Sequence, residues 1–246
     1  MKVAIVGYGK MGKQIEKILQ GKNIEVSSII DKYIKEAQFK EINSKSLSNV
    51  DIVFDFTTPD EVLENINLYI ENNVSVVMGT TGWYKEIQTV KNLIGNKIGF
   101  IWSGNFSIGV NIFFKIIRES AKIFNNFKEY DPMAYEIHHN QKKDSPSGTA
   151  QMISSILIDE LSHKNVVIEE KLDRKIGKNE IHFASIRGGN IPGTHTVLFD
   201  SDVDTIEIKH TARNREGLAR GAVFAAEWIK DKKGFFSIDD LIDSII

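Results

Sequence analysis

The chain has 246 residues, enough for one large domain or two modest ones at the ~150 residues of an ordinary domain. Its 41% apolar and 26% charged residues are typical of a globular protein, and they exclude the disordered and collagen-like classes. The sequence has 31 Lys and Arg residues and 33 Asp and Glu residues, so the net charge is −2 and we predict no nucleic-acid partner. Cysteine is absent, which excludes disulfides, thiolate metal sites and cysteine nucleophiles.

The apolar runs are all short. None approaches the ~20 residues of a membrane-spanning helix, and the run at residues 3–7 is too brief for the apolar region of a signal peptide. We therefore expect a cytoplasmic protein without a membrane partner.

The first hundred residues alternate between two patterns. Apolar runs typical of buried strands lie at residues 2–6, 24–30, 51–56, 74–78 and 97–102. Between them, helical spacing places Met11, Ile15, Ile18 and Leu19 on one face, and Val62, Leu63, Ile66, Tyr69 and Ile70 on another. Alternating strands and helices predict an α/β fold whose N-terminal part is a Rossmann-like, doubly wound parallel sheet.

The pattern changes after residue 105. The predicted elements are a helix at 108–124, a strand at 133–137, a helix at 149–161 and strands at 181–187, 194–199 and 205–210. Strands without helices between them predict an α+β domain with an antiparallel or mixed sheet. The last predicted helices, at 217–230 and 239–245, fit either domain. We divide the chain into a dinucleotide-binding domain, 1–104 and 215–246, and a central domain for substrate binding and oligomerisation, 105–214.

A glycine-rich loop follows the first predicted strand and opens the first helix. In Gly7-Tyr8-Gly9-Lys10-Met11-Gly12 the first glycine permits a tight turn, the second lets the backbone approach a pyrophosphate, and the third allows close packing of helix on strand. The spacing predicts dinucleotide binding; the alternative is a tight turn and nothing more.

Asp31 ends the second predicted strand at the distance expected for a ribose-binding carboxylate. It favours NAD, whereas the neighbouring Lys32 would tolerate a 2′-phosphate. The preference between NADH and NADPH therefore stays open, and an exposed turn is the alternative.

Two further loops follow the third and fourth predicted strands. Because the carboxyl ends of parallel strands line the ligand crevice, we expect these loops to form the bottom of a nicotinamide-binding site. Their candidate cofactor residues are Phe56, Thr57, Gly79, Thr80 and Thr81. Thr58 and Pro59 are also consistent with an ordinary helix start.

Residues 135–150 hold the densest polar cluster. His138 and His139 begin on opposite faces of a strand, a poor geometry for chelating one ion, so no metal site is predicted. Two histidines and Lys142 beside a helix start instead favour a proton donor in a cationic pocket. A Ser-His hydrolase is disfavoured because no GxSxG motif occurs.

The helix that follows begins at Ser147-Gly148-Thr149. Free amides at its N-terminus, the helix dipole and Lys142 suit the carboxylate of a small substrate. The alternative is a cap marked by Pro146 with no ligand.

These motifs together resemble a known family. The run Glu136-Ile137-His138-His139-x-x-Lys142-x-Asp144-Ser145-Pro146-Ser147-Gly148-Thr149-Ala150 is similar to the signature of bacterial dihydrodipicolinate reductases (4-hydroxy-tetrahydrodipicolinate reductases) of lysine biosynthesis. Accompanying it in the same order are Gly7-x-Gly9-x-x-Gly12, Asp55-Phe56-Thr57, Gly79-Thr80-Thr81-Gly82, Asn105-Phe106-Ser107-Ile108-Gly109-Val110-Asn111, Arg187-x-Gly189-x-x-x-Gly193-x-His195 and His210-x-Ala212-x-x-Arg215. The resemblance covers most of the chain.

The resemblance implies an NADH- or NADPH-dependent reductase of a cyclic imine dicarboxylate, assembled as a homotetramer through the central sheet. It implies that His138 is the proton donor and Lys142 its cationic partner. With these roles, Lys142 is expected to lower the pKa of His138 and to share in the donation. It further implies that His139, Gly148 and Thr149 hold the substrate, and that Gly79–Gly82, Asn105 and Phe106 lie near the nicotinamide. Lys143 falls on a variable family position and receives no role.

The chain departs from the family pattern in three places. Ser103-Gly104 precedes Asn105, Ser145 stands where alanine is common, and the stretch between Asp31 and Asp51 is short. Two other functions stay open at this stage. One is a different two-domain reductase or dehydrogenase acting on an amino or keto acid, and the other is a dinucleotide-binding module without turnover.

Overall fold

A computed structural model of the protein describes residues 1–245. The chain forms two compact units, Met1–Ile108 with the segment from Glu216 onward, and Gly109–Arg215. The predicted domain boundaries at 104/105 and 214/215 lie close to these divisions. The predicted segment 215–246 includes Ile246, which lies outside the described residues.

The elements follow one another with bounds close to those predicted. In chain order they are β1 (Lys2–Val6), α1 (Lys10–Gly21), β2 (Glu25–Ile30), β3 (Ile52–Asp55), α2 (Val62–Glu71), β4 (Ser75–Met78), α3 (Ile87–Ile94), β5 (Gly99–Trp102) and α4 (Ile108–Phe124). Next come β6 (Asp131–His138), α5 (Gly148–Glu160), β7 (Val166–Ile168), β8 (Glu180–Arg187), β9 (Gly193–Asp200), β10 (Thr205–Ala212), α6 (Glu216–Ile229), β11 (Gly234–Ser237) and α7 (Ile238–Asp243).

The first unit is built on a parallel sheet with the strand order β11-β5-β4-β3-β1-β2. Apolar side chains of α1, α6 and α7 pack on one face, and those of α2 and α3 pack on the other. Strands covered on both faces need continuous apolar sequence, which is why Val3–Val6 and Ile52–Phe54 are fully or almost fully buried. The prediction of a doubly wound parallel sheet is confirmed.

The second unit is built on a sheet with the order β10-β9-β6-β8-β7. Central strand β6 runs antiparallel to β9 and parallel to β8, so the sheet is mixed, as predicted. Helices α4 and α5 cover one face, where the core includes Phe113, Ile153, Phe183, Val197 and Phe199. Because side chains alternate along a strand, the same face of β6 also carries Glu136 and His138.

Three elements were not predicted. Strand β7 has three residues and strand β11 has four, which is too few to show an alternation of apolar and polar residues. Each is defined by its pairing with a neighbouring strand, β7 with β8 and β11 with β5. Helix α3 was also missed. Helices α6 and α7, which the sequence left unassigned, belong to the first unit. Among the described residues, no helix is long and apolar enough to cross a membrane.

Candidate active site

The glycine-rich loop has the backbone that its sequence predicts. Gly7 adopts φ +86°, and a Cβ there would lie 2.3 Å from the Phe56 carbonyl oxygen. A Cβ at Gly12 would lie 2.5 Å from the Gly7 carbonyl oxygen, so this glycine serves the close packing of α1 on β1. Gly9 is the N-cap residue of α1 and has no side chain, and a Cβ added at Gly9 would have no atom within 4 Å. The helix N-terminus is thereby open to an anion.

A cavity of about 340 Å³ lies beside this loop within the first unit. Its walls include the predicted cofactor residues Gly7, Gly9, Asp31, Phe56 and Thr57. Its size and its position at the carboxyl ends of β1, β2 and β3 fit the adenosine half of a dinucleotide.

Asp31 is held firmly at the cavity wall. Its Oδ2 accepts a hydrogen bond from Tyr8 N at 2.7 Å, and its Oδ1 accepts from Tyr33 N and Ile34 N at 2.8 and 2.9 Å. Partial burial alone would raise the pKa of Asp31, but these backbone hydrogen bonds outweigh it and lower the pKa. Asp31 is therefore a fixed anion that also orders the glycine-rich loop.

Two lysines line the same cavity. Lys32 pairs with Glu61 at 2.5 Å, and the Lys40 ammonium donates to the Ile34 carbonyl oxygen at 2.5 Å. The cavity thus contains a carboxylate suited to a ribose diol and two ammonium groups suited to a phosphate.

A buried carboxylate joins the two loops that follow β3 and β4. Asp55 is fully buried and accepts hydrogen bonds from the Thr57 backbone and hydroxyl, from the Thr80 hydroxyl and from Asn65. The Tyr69 hydroxyl also donates to it at 2.7 Å. Burial and the Asp55 charge raise the pKa of Tyr69 well above its ordinary value, so Tyr69 remains a donor.

The remaining residues predicted for the cofactor lie near these loops. A Cβ at Gly79 would lie 2.1 Å from the Phe56 ring, so this glycine makes room for that ring. Thr81 is exposed, whereas the Phe106 side chain is buried in the apolar core of the first unit. Asn105 caps the turn that follows it, with Oδ1 accepting from Ser107 N at 2.9 Å. Lys10 and Met11 begin α1.

His138 lies in the second unit with its ring held from several sides. Its Nδ1 is 3.0 Å from the Pro192 carbonyl oxygen, and its Nε2 is 3.3 Å from Glu136 Oε2. A Cβ at residue 193 would lie 2.8 Å from His138 Cε1, so Gly193 gives the ring its space. Burial lowers the pKa of His138, Glu136 opposes that shift, and Lys142 adds to it, in the direction that the sequence predicts.

Glu136 is fully buried and stabilised by donors from β8 and from the start of α5. Its Oε1 accepts from Arg187 Nη2 at 2.7 Å, from the Ser185 hydroxyl at 2.9 Å and from Ser147 N at 3.1 Å. Burial alone would raise the pKa of Glu136, but interactions with His195, Ser147, Arg187 and Ser185 hold it far below its ordinary value. Glu136 is an anion throughout the working pH range.

His195 completes this cluster. The register pairs it directly with Glu136 across β6 and β9, and its Nε2 lies 3.3 Å from Glu136 Oε2 and 3.4 Å from His138 Nε2. The Ser147 hydroxyl is 3.2 Å from the same nitrogen. Sequence reasoning gave no role to Glu136, His195 or the Ser147 side chain. The two-residue spacing of Glu136 and His138 on one strand was the available signal; the approach of His195 needs the strand order.

Within the described residues, Glu136, His138 and His195 form a group whose potential ligand atoms all lie within 4.8 Å of one another, close enough for one cation. This grouping differs from the His138–His139 pair considered in the sequence. Arg187 already neutralises Glu136, which weakens its attraction for a cation. The cluster is therefore better suited to holding a proton than a metal cation.

The predicted substrate residues surround the start of α5. Ser147 caps the helix with its hydroxyl accepting from Ala150 N, and the first-turn amides of Gly148 and Thr149 have no partner inside the helix. Lys142 Nζ lies 2.8 Å from both carboxylate oxygens of Asp144. His139 accepts a hydrogen bond from Gln141 N through Nδ1, which orients its ring. The strand end and the helix start thus collect cations and amide donors.

Sequence models of one family match both parts of the chain. The model described as Dihydrodipicolinate reductase, N-terminus, matches residues 1–106, and the corresponding C-terminus model matches residues 109–242. The chain belongs to the dihydrodipicolinate reductase family. The resemblance drawn from its motifs is confirmed.

Relatives and a solved structure agree with this family. The 4-hydroxy-tetrahydrodipicolinate reductase of Christiangramia forsetii is 35% identical over 246 residues, which cover 100% of this chain and 99% of the relative. The reductase of the same name from Methanosarcina acetivorans is 37% identical over 245 residues, covering 98% and 88%. The structure of dipicolinate-bound dihydrodipicolinate reductase from Paenisporosarcina sp. TG-14 superposes with a TM-score of 0.80 at 27% identity, covering 98% of each chain.

Membership of the dihydrodipicolinate reductase family fixes the class of chemistry. The protein is an oxidoreductase that reduces its substrate in the lysine and diaminopimelate pathway, with a pyridine nucleotide as cofactor. The glycine-rich loop and the adjacent cavity fit such a cofactor, because a Cβ at Gly7 would close the turn that the loop needs.

Proposed function

We propose that 4-hydroxy-tetrahydrodipicolinate loses its 4-hydroxyl as water to give the conjugated cyclic imine, and that the protein reduces this imine by adding a hydride to one carbon and a proton from His138 to its neighbour. The observation that carries this assignment is the buried His138 ring, held against Glu136 beside the amide-rich start of α5. When bound, the reduced nicotinamide supplies the hydride. The chain's own residues supply the proton and neutralise the substrate's two carboxylates.

The substrate carboxylates have two sets of partners in this proposal. One binds the amides of Gly148 and Thr149, where the helix dipole favours an anion. The other binds Lys142, which exchanges its contact with Asp144 for the substrate, while His139 donates to the ring or a carboxylate oxygen. The dipicolinate reported for the Paenisporosarcina enzyme, a planar dicarboxylate, supports this class of ligand.

For the cofactor we propose that both NADH and NADPH are accepted. Asp31 is a fixed acceptor for the 2′-hydroxyl of NADH, and Lys32 and Lys40 on the same cavity are cations for the 2′-phosphate of NADPH. Thr57 and Thr80, tied together by Asp55, stiffen the loops that we assign to the nicotinamide end. Gly79, Thr81, Asn105 and Phe106 belong to the same proposed region.

We also propose a homotetramer assembled through the central sheet. One face of that sheet is covered by α4 and α5, whereas its other face presents half-buried or exposed Met133, Tyr135, Ile137 and Ile186. A second copy of the same sheet is a fitting cover for such a face.

The test is a coupled assay in which a synthase makes the unstable substrate from pyruvate and aspartate semialdehyde. We expect oxidation of both NADH and NADPH that depends on the synthase. His138→Ala should lower kcat strongly with a modest change in substrate KM, while Lys142→Ala should damage both. If both cofactors bind but neither is consumed, the proposal fails in favour of a different small acid or a module without turnover. Wild-type kinetics in both variants would overturn the residue roles.

A further inference from the structure

The tautomer of His138 follows from its surroundings. Its Nδ1 lies 3.0 Å from the Pro192 carbonyl oxygen, and a carbonyl can only accept a hydrogen bond. Nδ1 therefore carries a hydrogen in both the neutral and the charged ring. The proton that His138 gains or loses is the one on Nε2.

That nitrogen faces a buried carboxylate oxygen without a hydrogen-bond partner. Glu136 Oε2 is fully buried, has no hydrogen bond of good geometry among the described residues, and lies 3.3 Å from the Nε2 atoms of both His138 and His195. The other oxygen, Oε1, is fixed by Arg187, Ser185 and Ser147 N. One oxygen thus anchors the carboxylate to the start of α5, and the other is aimed at the atom that titrates.

We infer that Glu136 is a positioning residue that strengthens proton binding at His138 Nε2 against the effect of burial and orients the proton bound there. The catalytic part of this inference rests on the proposed function of His138. When His138 gives its Nε2 proton to the substrate carbon, the ring becomes neutral and keeps its hydrogen on Nδ1. Solvent then returns the proton to Nε2, and the Glu136 carboxylate is unchanged over the cycle.

Most of the other influences on His138 work against its protonation. Burial disfavours a positive ring most, followed by His195 on β9 and Lys142 after β6, whereas the hydrogen bond to the Pro192 carbonyl favours it. Arg187 on β8 adds positive charge but is paired with Glu136, and His210 on β10 lies beyond His195. Asp144 contacts Lys142 at the surface. Among the described residues, Glu136 is the carboxylate in contact with the ring, so removing its charge should favour the neutral form of His138 further.

The direct test is nitrogen-15 NMR of the full chain labelled at histidine, in buffer containing EDTA, with the His138 signals identified by their loss in His138→Asn. We expect the Nδ1-H tautomer and a titration midpoint that Glu136→Gln lowers by at least about one pH unit, the scale expected for loss of a contacting charge. Glu180→Gln is the matched control, because that carboxylate pairs with Arg174 elsewhere in the second unit. It should leave the midpoint unchanged.

A second variant tests the inference with the opposite sign. His195→Gln removes a group that disfavours a positive His138, so the midpoint should rise. This variant carries the test if Glu136→Gln does not fold. Three results would overturn the inference. One is an unchanged titration midpoint in whichever of the two variants folds, and another is the Nε2-H tautomer of His138. The third is a His138 signal that changes when EDTA is added, because this would mean that a cation occupies the cluster.

Kinetics then connect this network to turnover. The pH at which kcat/KM decreases on the alkaline side should be lower in Glu136→Gln than in the wild type, by the same amount as the NMR midpoint. Glu136→Asp keeps the charge, so its kcat/KM profile should return part of the way to that of the wild type. An NMR shift in a protein that does not reduce the substrate would leave the network standing and reject the proposed function. Normal turnover with no NMR shift would reject the network alone.

Discussion

Single buried carboxylates organise both halves of this protein. Asp55 is fully buried because several donors, among them the Tyr69 hydroxyl and the Thr80 hydroxyl, satisfy it. Glu136 is fully buried because Arg187, Ser185 and Ser147 do the same for one of its oxygens. An ionised carboxylate tolerates burial only with such partners, so each fixes the loops that supply them.

Lys142 and Lys143 provide a sharp test at this scale, since they are adjacent and equally charged but differ in their surroundings. Lys142 is 20% exposed in its side chain and bound to Asp144, whereas Lys143 is exposed. Lys142→Met should lower kcat/KM about 100-fold and raise the substrate KM, because the charge-assisted contact that we propose between Lys142 and a substrate carboxylate is lost. Lys143→Met should change kcat/KM less than about twofold, the scale expected of a surface position. Steady-state kinetics check both, and equal losses would contradict the role of Lys142.

At the scale of elements, α6 depends on a glycine at its contact with the loop after β5. A Cβ at Gly221 would lie only 1.7 Å from the Phe106 carbonyl oxygen, so the helix approaches that backbone more closely than any other residue allows. A Cβ at Gly217, in the first turn of the same helix, meets only the movable Ser107 side chain at 3.3 Å.

Gly221→Ala should therefore destabilise the protein by about 3 kcal/mol, because the clash with backbone exceeds the gain of about 1 kcal/mol in helix propensity. Gly217→Ala is the matched control and should be neutral or slightly stabilising. Urea unfolding of the two variants measures the difference. Equal free energies of unfolding would show that α6 can shift without cost.

Several elements could be predicted from the sequence because they carry their own periodicity. β1 at residues 2–6 and α4 at 108–124 have the predicted bounds, since an apolar run and a helical stripe are local signals. β11 reads only Gly-Phe-Phe-Ser, and it becomes a strand through its parallel pairing with β5. That pairing joins residues far apart in the chain, so no local pattern reveals it.

At the scale of the whole molecule, the uncovered face of the central sheet bears on the proposed tetramer. Ile186 is 49% exposed on β8, on the face opposite α4 and α5. Ile186→Glu should dissociate the assembly, because a charge buried in an apolar interface is costly. Val203→Glu, at an 85% exposed site in the β9–β10 turn, is the control. Light scattering is the measurement; a monomeric wild type would reject the tetramer.

One buried and two partly buried histidines predict that stability falls in mild acid. Burial is the largest cause of the lowered pKa of His138, His163 and His210. The folded protein therefore binds protons more weakly than the unfolded chain, whose histidines titrate near ~6.5. The free energy of unfolding should be highest above that pH and fall as the pH is lowered through 6 to 5.

Urea unfolding at pH 7.5, 6 and 5 measures this loss. Both ring nitrogens of His163 are buried and have no hydrogen-bond partner within residues 1–245, so His163→Leu should flatten the decline without lowering stability at neutral pH. A wild-type stability that is constant across this range would contradict the assignment of neutral buried histidines.

The sequence by itself determined the doubly wound sheet, the glycine-rich loop and the family, because strand and helix periods, the positive φ at Gly7 and the run from Glu136 to Ala150 are local properties. Tertiary structure alone decided that β6 lies between β8 and β9. That order brings Arg187 and His195 against Glu136 from strands some fifty residues further along the chain. The charge environment of His138 is therefore a product of strand pairing, which depends on non-local contacts and leaves no signal within the motif itself.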